Sequence, residues 1–256
     1  MISNQLYDEQ KVKDVAMLAG KILLESGAET YRVEDTMTRI AEYYGLHHTH
    51  SFVTPTAIIF SLNDKSSTRL YRVSDRTTDL EKISEVNEIS RAITSGKVTL
   101  EAAKMSLDVL DNANLQFKFW LKVLSSGLVS MLFLFMFKGH IQDALPAFIS
   151  GLVGYYICEQ IGHYFKIRFF AEFAGSVAIA LIAIGFVNYF FSSSIDKIII
   201  SGVMPLVPGV PITNAIRDMM AGQLIAGITK GVEAALTAFA IGAGVGVTFI
   251  IFGGIS

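Results

Sequence analysis

Residues 198–218 read IIISGVMPLVPGVPITNAIRD, and the reading of this stretch decides the fold. A short apolar run leads to Pro205, Pro208, Gly209 and Pro211. A polar foot with Thr213, Asn214, Arg217 and Asp218 follows at once. Ten or so apolar residues rise only about 15 Å as a helix, half of what a bilayer core needs. Each proline removes a backbone donor and crowds the preceding turn, so three of them within seven residues forbid a continuous helix. Broken backbone at membrane depth must be buried in protein or face a watery cavity. Transporters use such half-helices to hold a solute near the midplane. The stretch reads as a span broken by prolines, with a Pro-rich loop between two spans as the plainer alternative.

Working outward, the mean hydropathy of +0.47 averages two unlike halves. Residues 1–118 hold 14 Lys/Arg and 17 Asp/Glu, an ordinary soluble composition. Residues 119–256 hold only 7 and 6, so each charge there needs its own explanation. Neither half is basic enough for nucleic acid. Cys158 is the one cysteine, which excludes an internal disulfide, and its apolar surroundings do not suit a reactive thiol. The N-terminus lacks the apolar core of a signal peptide. The soluble half is therefore expected to stay in the cytoplasm, with the first span acting as an internal signal.

In the soluble half, Val12, Val15, Ala16, Ala19, Ile22 and Leu23 recur at helical spacing and predict a helix over 9–25, closed by Ser26-Gly27. A second helix carries Val33, Met37, Ile40 and Tyr44 and ends at Gly45. Ser26 and Glu29 have capping-box spacing for the corner between the two. That corner is crowded with Glu29, Thr30, Arg32, Glu34 and Asp35. It reads as a solvated helix start in which Arg32 pairs with Glu29 or Asp35, or as a ligand or partner site. Ile58, Phe60 and Leu62, then 68–73, predict a hairpin turning at 63–66, with Pro55 at an edge or bulge. His47, His48 and His50 lack ligand spacing, so no metal is expected. Two more helices are expected over 78–95 and 99–113, the first with an apolar face of Leu80, Ile83, Val86, Ile89 and Ile93. The expected division is a cytoplasmic α+β domain, 1–117, and a transmembrane domain, 118–256.

The expected spans are 119–137, 144–161, 170–191, the broken 198–210, and 228–252. Ser150/Gly154 and Gly242/Gly246 have the spacing of close helix packing. With the soluble half inside, inner connections carry Lys118, Lys122, Lys166, Arg168, Arg217 and Lys230, and outer ones only Lys138 and Lys197. In the foot, Thr213 is placed to cap a helix beginning near Ile212, and Asn214 and Asp218 share one face. Arg217 and Asp218 are adjacent and able to offset part of each other's desolvation. Asp218 reads either as a solute or coupling residue or as a loop charge, whereas Arg217 and Lys230 read as loop charges.

Two blocks, SGAETYRVEDTMTRIAEYYG with VTPTAIIFSL, and PLVPGVPITNAIRDMMAGQLIAGITKGVEAAL, resemble the threonine/serine exporter (ThrE) family. The resemblance spans nearly the whole chain and is closest to the large-subunit, YjjP type of a two-component exporter. It implies an integral membrane α-helical protein of about five spans, one broken by prolines, with an N-terminal cytoplasmic α+β domain, in the cell inner membrane. It implies a secondary exporter of threonine/serine or succinate, a carboxylate-bearing solute in either case. The partner it implies is a small integral-membrane subunit of the YjjB kind, because the family's second membrane region is not in these residues. A homo-oligomer is compatible with this reading. Candidate substrate or coupling residues are Asn214, Asp218, Thr213, Pro208, Gly209 and Pro211. The corner Glu29, Thr30, Arg32, Glu34 and Asp35 matches the family's N-terminal motif, for which a hydrolase-like or ligand-sensing role is the alternative. No nucleophile–base pair is evident there, and no cofactor is expected.

Overall fold

The structure is a computed structural model, and it describes residues 9–62, 67–165, 169–189 and 194–252. Its helices are, in order, α1 (Glu9–Glu25), α2 (Thr30–Tyr43), α3 (Leu80–Thr94), α4 (Leu100–Asn112), α5 (Phe119–Met136), α6 (Ala144–Phe165), α7 (Phe170–Tyr189), α8 (Ile195–Val203), α9 (Gly209–Met220) and α10 (Leu224–Phe252). Three strands, β1 (His50–Thr54), β2 (Ala57–Ser61) and β3 (Arg69–Arg72), lie between α2 and α3. The described residues are mostly helical, with one small sheet. It forms two compact units, one from Met1–Gln116 and Val210–Gly231, the other from Phe117–Gly209 and Val232–Ser256.

In the first unit α1 is the central element. Val12, Val15, Ala16, Ala19, Ile22 and Leu23 are all at most 1% exposed, and Met17 and Leu24 are buried too. Against them pack Val33, Met37 and Ile40 of α2, Ile58 and Phe60 of β2, and Leu100, Ala103 and Leu107 of α4. Burying a side chain of this size stabilises by about 1.5–3 kcal/mol. Gly20 keeps α1 and α2 close, since an added Cβ would lie 2.4 Å from Met37 Sδ. Asp79 and Thr99 cap α3 and α4 by accepting from Lys82 N and Ala102 N. Leu80 differs from expectation: it is the first helical residue of α3, and it is 65% exposed.

The sheet is an antiparallel meander, β1-β2-β3. The expected hairpin is β2–β3; its turn at 63–66 lies outside the described residues. The additional strand β1 pairs Thr54 with Ala57 and His50 with Ser61. Pro55 falls in the tight turn between them, where no ladder donor is needed.

In the second unit α6 packs against α5 and α7 through small residues. A Cβ on Gly151 would meet Ser130, and one on Gly154 would meet Ile179. On α10 the expected Gly242 and Gly246 surface is corrected. Neither has anything within 4 Å, whereas Gly244 faces Phe173 O and Ser176 of α7. A two-residue shift turns a helix position by about 200°, so the face in contact is the opposite one. Among the described residues three helices, Phe119–Met136, Phe170–Asn188 and Leu224–Phe252, are long and apolar enough to cross a membrane. A fourth counts if Ile195–Leu206 and Gly209–Met220 are taken together as one broken span. The break falls at Val207 and Pro208, within the proline run. Leu132, Phe239, Ile250 and Ile251 are more than half exposed, as lipid-facing side chains are.

Candidate functional site

The corner between α1 and α2 gathers buried polar side chains of the first unit. α1 ends with Gly27 N donating to Leu24 O and Ala28 N to Leu23 O, a Schellman closure with Gly27 in the left-handed region at φ +85°. A Cβ there would also lie 2.9 Å from Thr77 O. α2 begins one residue beyond Glu29, whose side chain caps nothing. The expected capping box between Ser26 and Glu29 is therefore absent. The two residues belong to the end of one helix and the start of the next, not to the ends of one capping turn.

The open backbone groups of the corner are met instead by residues 187 to 202 positions away. Asp218 Oδ1 accepts from Thr30 N at 2.8 Å and from Tyr31 N at 3.4 Å. Asn214 Nδ2 donates to Gly27 O at 2.9 Å, and Lys230 Nζ to Ala28 O at 3.1 Å. Lys230 also pairs with Asp218 Oδ2 at 2.8 Å. Asp218 is 0% exposed and Lys230 7%. A carboxylate at a helix start also gains from the positive end of the helix dipole. Asp218 thus serves as the cap that Glu29 does not provide.

A second layer surrounds this core. Glu29 Oε1 accepts from Arg217 at 2.8 Å and Oε2 from Arg32 at 3.4 Å. Burial acts to raise the Glu29 carboxyl. The hydrogen bonds from Arg217 and the backbone, with the charges of both arginines, outweigh it and hold the group below its ordinary value. Glu34 accepts from Val53 N at 2.9 Å and from Gln223 Nε2. Burial raises Glu34 above its ordinary value; its hydrogen bonds oppose this and the Asp218 charge adds to it. Thr30 Oγ1 is buried without a protein partner.

The corner is accordingly not a solvated helix start, because Ser26, Ala28, Glu29 and Thr30 are all buried. Asn214 and Asp218 do share a face, with Ala215, and that face is turned to the corner. Thr213 is corrected: α9 starts at Gly209, so Thr213 lies inside the helix and donates to Val210 O. Pro211 is tolerated in the first turn, where its missing N–H has no helical acceptor. Pro208 lies in the break, and Gly209 is the first residue of α9. Asp35 points away and pairs with Arg39. Arg217 and Asp218 do not serve each other, being adjacent and about 100° apart on the helix; they pair with Glu29 and Lys230. Lys230 is therefore no loop charge, and neither it nor Gln223 was among the expected site residues. Their signal is complementarity: an acidic corner in one polar block and unpaired Arg and Lys in the other.

The sequence pattern of a protein family described as "Putative threonine/serine exporter" matches residues 14–252. The chain is 25% identical to the "Probable succinate transporter subunit YjjP" of Klebsiella aerogenes, over 96% of each chain. It is 23% identical to the protein of the same name in Escherichia coli K12, covering 97% of this chain and 98% of that one. It is 26% identical to the "Threonine/serine exporter" of Corynebacterium glutamicum, covering 94% of this chain and 52% of that one. The chain thus spans about half the length of the Corynebacterium exporter. No solved structure matches.

Proposed function

As a member of the threonine/serine exporter family, to which residues 14–252 assign it, the chain is not an enzyme, and we propose that it is the large subunit of a secondary exporter. Its solute is a small carboxylate-bearing metabolite, threonine/serine or succinate, and a small YjjB-like membrane subunit completes it. Two relatives are named as transporter subunits, which supports a second component. The spans number five and lie in the inner membrane. α6 is flanked by two helices able to cross, and it crosses with them. Its Pro146, Glu159 and His163 lower its apolarity. The soluble half is cytoplasmic. Lys197 Nζ donates to Lys138 O, which supports one common outer side for the two lysines counted as outer. Cysteines introduced at Lys104 and Lys197, in a chain with Cys158→Ala, label from opposite sides with an impermeant reagent. Labelling of both from outside overturns the orientation.

The observation that carries the reading is the buried Asp218 latch. The span is interrupted at Val207 and Pro208, and Gly209, Pro211, Thr213, Asn214 and Asp218 follow on α9. Both oxygens of Asp218 are engaged, so its role is coupling rather than solute contact in this conformation. Val210–Gly231 belong to the same compact unit as the corner, and the bonds of Asn214 to Gly27 and of Asp218 to Thr30 hold α9 there. Glu29, Thr30, Arg32 and Glu34 form the opposing face of the same latch. Reconstituted vesicles with both subunits export labelled threonine, serine or succinate, and vesicles with this chain alone do not. Absence of flux for all three with both subunits present refutes the exporter reading.

A further inference from the structure

A polar cleft of about 630 Å³ opens in the first unit, between the end of α1, β3 and the segment after it, the start of α3 and the end of α4. That volume suits a small ligand. Its walls are fixed before any ligand arrives. Tyr71 Oη donates to Glu25 Oε1 at 2.7 Å, and Lys21 Nζ to Asp111 Oδ2 at 2.7 Å. Lys82 Nζ donates to Asp111 O at 3.1 Å, and Asp79 accepts from Lys82 N. Lys21 also lies over the Tyr71 ring, 5.6 Å from its centroid.

Two charged lining residues, Arg72 and Asp75, stand outside this network. Among the described residues neither side chain makes a hydrogen bond or ion pair, and both are exposed. We propose that the cleft binds a zwitterionic α-amino acid, with Arg72 holding the carboxylate and Asp75 the ammonium. A planar guanidinium suits a carboxylate, and a free carboxylate suits an ammonium through charge-assisted hydrogen bonds. The walls carry four carboxylates, Glu25, Asp75, Asp79 and Asp111, against Arg72, Lys82 and the Lys21 that pairs with Asp111. That excess favours a ligand with an ammonium group and disfavours a dicarboxylate. The site is separate from the latch but adjoins it. Ser26 lines the cleft, and the next residue, Gly27, gives its carbonyl to Asn214. An amino acid bound here bears on the corner that the latch closes, as an effector site on the soluble unit.

The test is calorimetric titration of the full-length protein in detergent with L-threonine, L-serine and succinate, without any flux measurement. It therefore stands or falls apart from the exporter reading. Wild type binds at least one amino acid, and Asp75→Asn and Arg72→Gln each weaken that binding about tenfold or more. Asp75→Glu retains it, and melting of all three variants stays at the wild-type value, since the replaced side chains are exposed and unbonded. Succinate bound elsewhere is unaffected by Asp75→Asn. Amino-acid binding that survives both substitutions at wild-type affinity, or no binding at all, overturns the proposal.

Discussion

Asp218→Asn removes one charge and one acceptor oxygen without changing the shape of the side chain. In the wild type three donors converge on the carboxylate: Thr30 N, Tyr31 N and Lys230 Nζ. An asparagine offers one oxygen. Its amide group must then face either the helix start or the Lys230 ammonium, donor against donor. Lys230 keeps Ala28 O but loses its counter-charge while 7% exposed. Removing one partner of a buried pair costs about 3–5 kcal/mol, several times the cost of losing an exposed pair. The expected loss lies in that range, read from unfolding of the purified full-length chain in detergent. Amide exchange at Thr30 and Tyr31 should accelerate, and export should fall. The double variant Asp218→Asn/Lys230→Gln should cost less than the sum of the two single changes, by about 0.5–3 kcal/mol, because a neutral pair replaces an orphaned charge. If Asp218→Asn unfolds within about 1 kcal/mol of wild type, with both amides as protected as before, the latch is not an energetic feature of the protein.

Three further outcomes follow from the same geometry. Glu29 titrates below its ordinary value, so its stabilisation is present above about pH 4.5 and is lost as pH falls through the folded value; Arg217→Gln should make that acid limb of a melting-versus-pH curve shallower. Glu34 titrates above its ordinary value, so the folded state loses stability as pH rises from about 4.5 through the folded value. Glu34→Gln keeps an acceptor for Val53 N and should flatten that limb, and an unchanged slope would show that Glu34 does not titrate there. Gly244→Ala places a Cβ 2.5 Å from Phe173 O and should cost about 1–3 kcal/mol by overpacking, whereas Gly246→Ala, with open space around it, should be neutral in the same unfolding assay.

The helices were the legible part of this chain. α1 begins and ends where the 3.6-residue spacing of Val12 to Leu23 puts it, and Gly27, Gly45 and Gly96 all take the positive φ that ends a helix. The strand β1 was not legible, because HSFVT shows two apolar residues side by side and no alternation. The face of α10 was misread because GAGVG offers small residues on every side, and spacing alone does not say which side meets α7. The latch lay furthest out of reach. Its bonds span 187 to 202 positions, apart from the pair Asp218–Lys230, and a local pattern carries no information about partners at that distance. The sequence could display Glu29 and Arg217, or Asp218 and Lys230, only as unexplained charges in two separate blocks. Read locally, Arg32 and Glu29 became each other's partners, which they are only in part.

The helix start at Thr30 is completed by a residue synthesised 188 positions later. At about 5–20 residues per second, that is a wait of roughly 10–40 s during which the amides of Thr30 and Tyr31 depend on water. The first unit is thus assembled around a vacant seat, and its last piece emerges only after α5, α7 and α8 have been made. A chain that stalls or breaks before Asn214 leaves Gly27 O, Ala28 O and the start of α2 exposed together at one corner. The corner that α9 closes in the finished protein is, in an unfinished one, a visible marker that synthesis did not reach the end of α9.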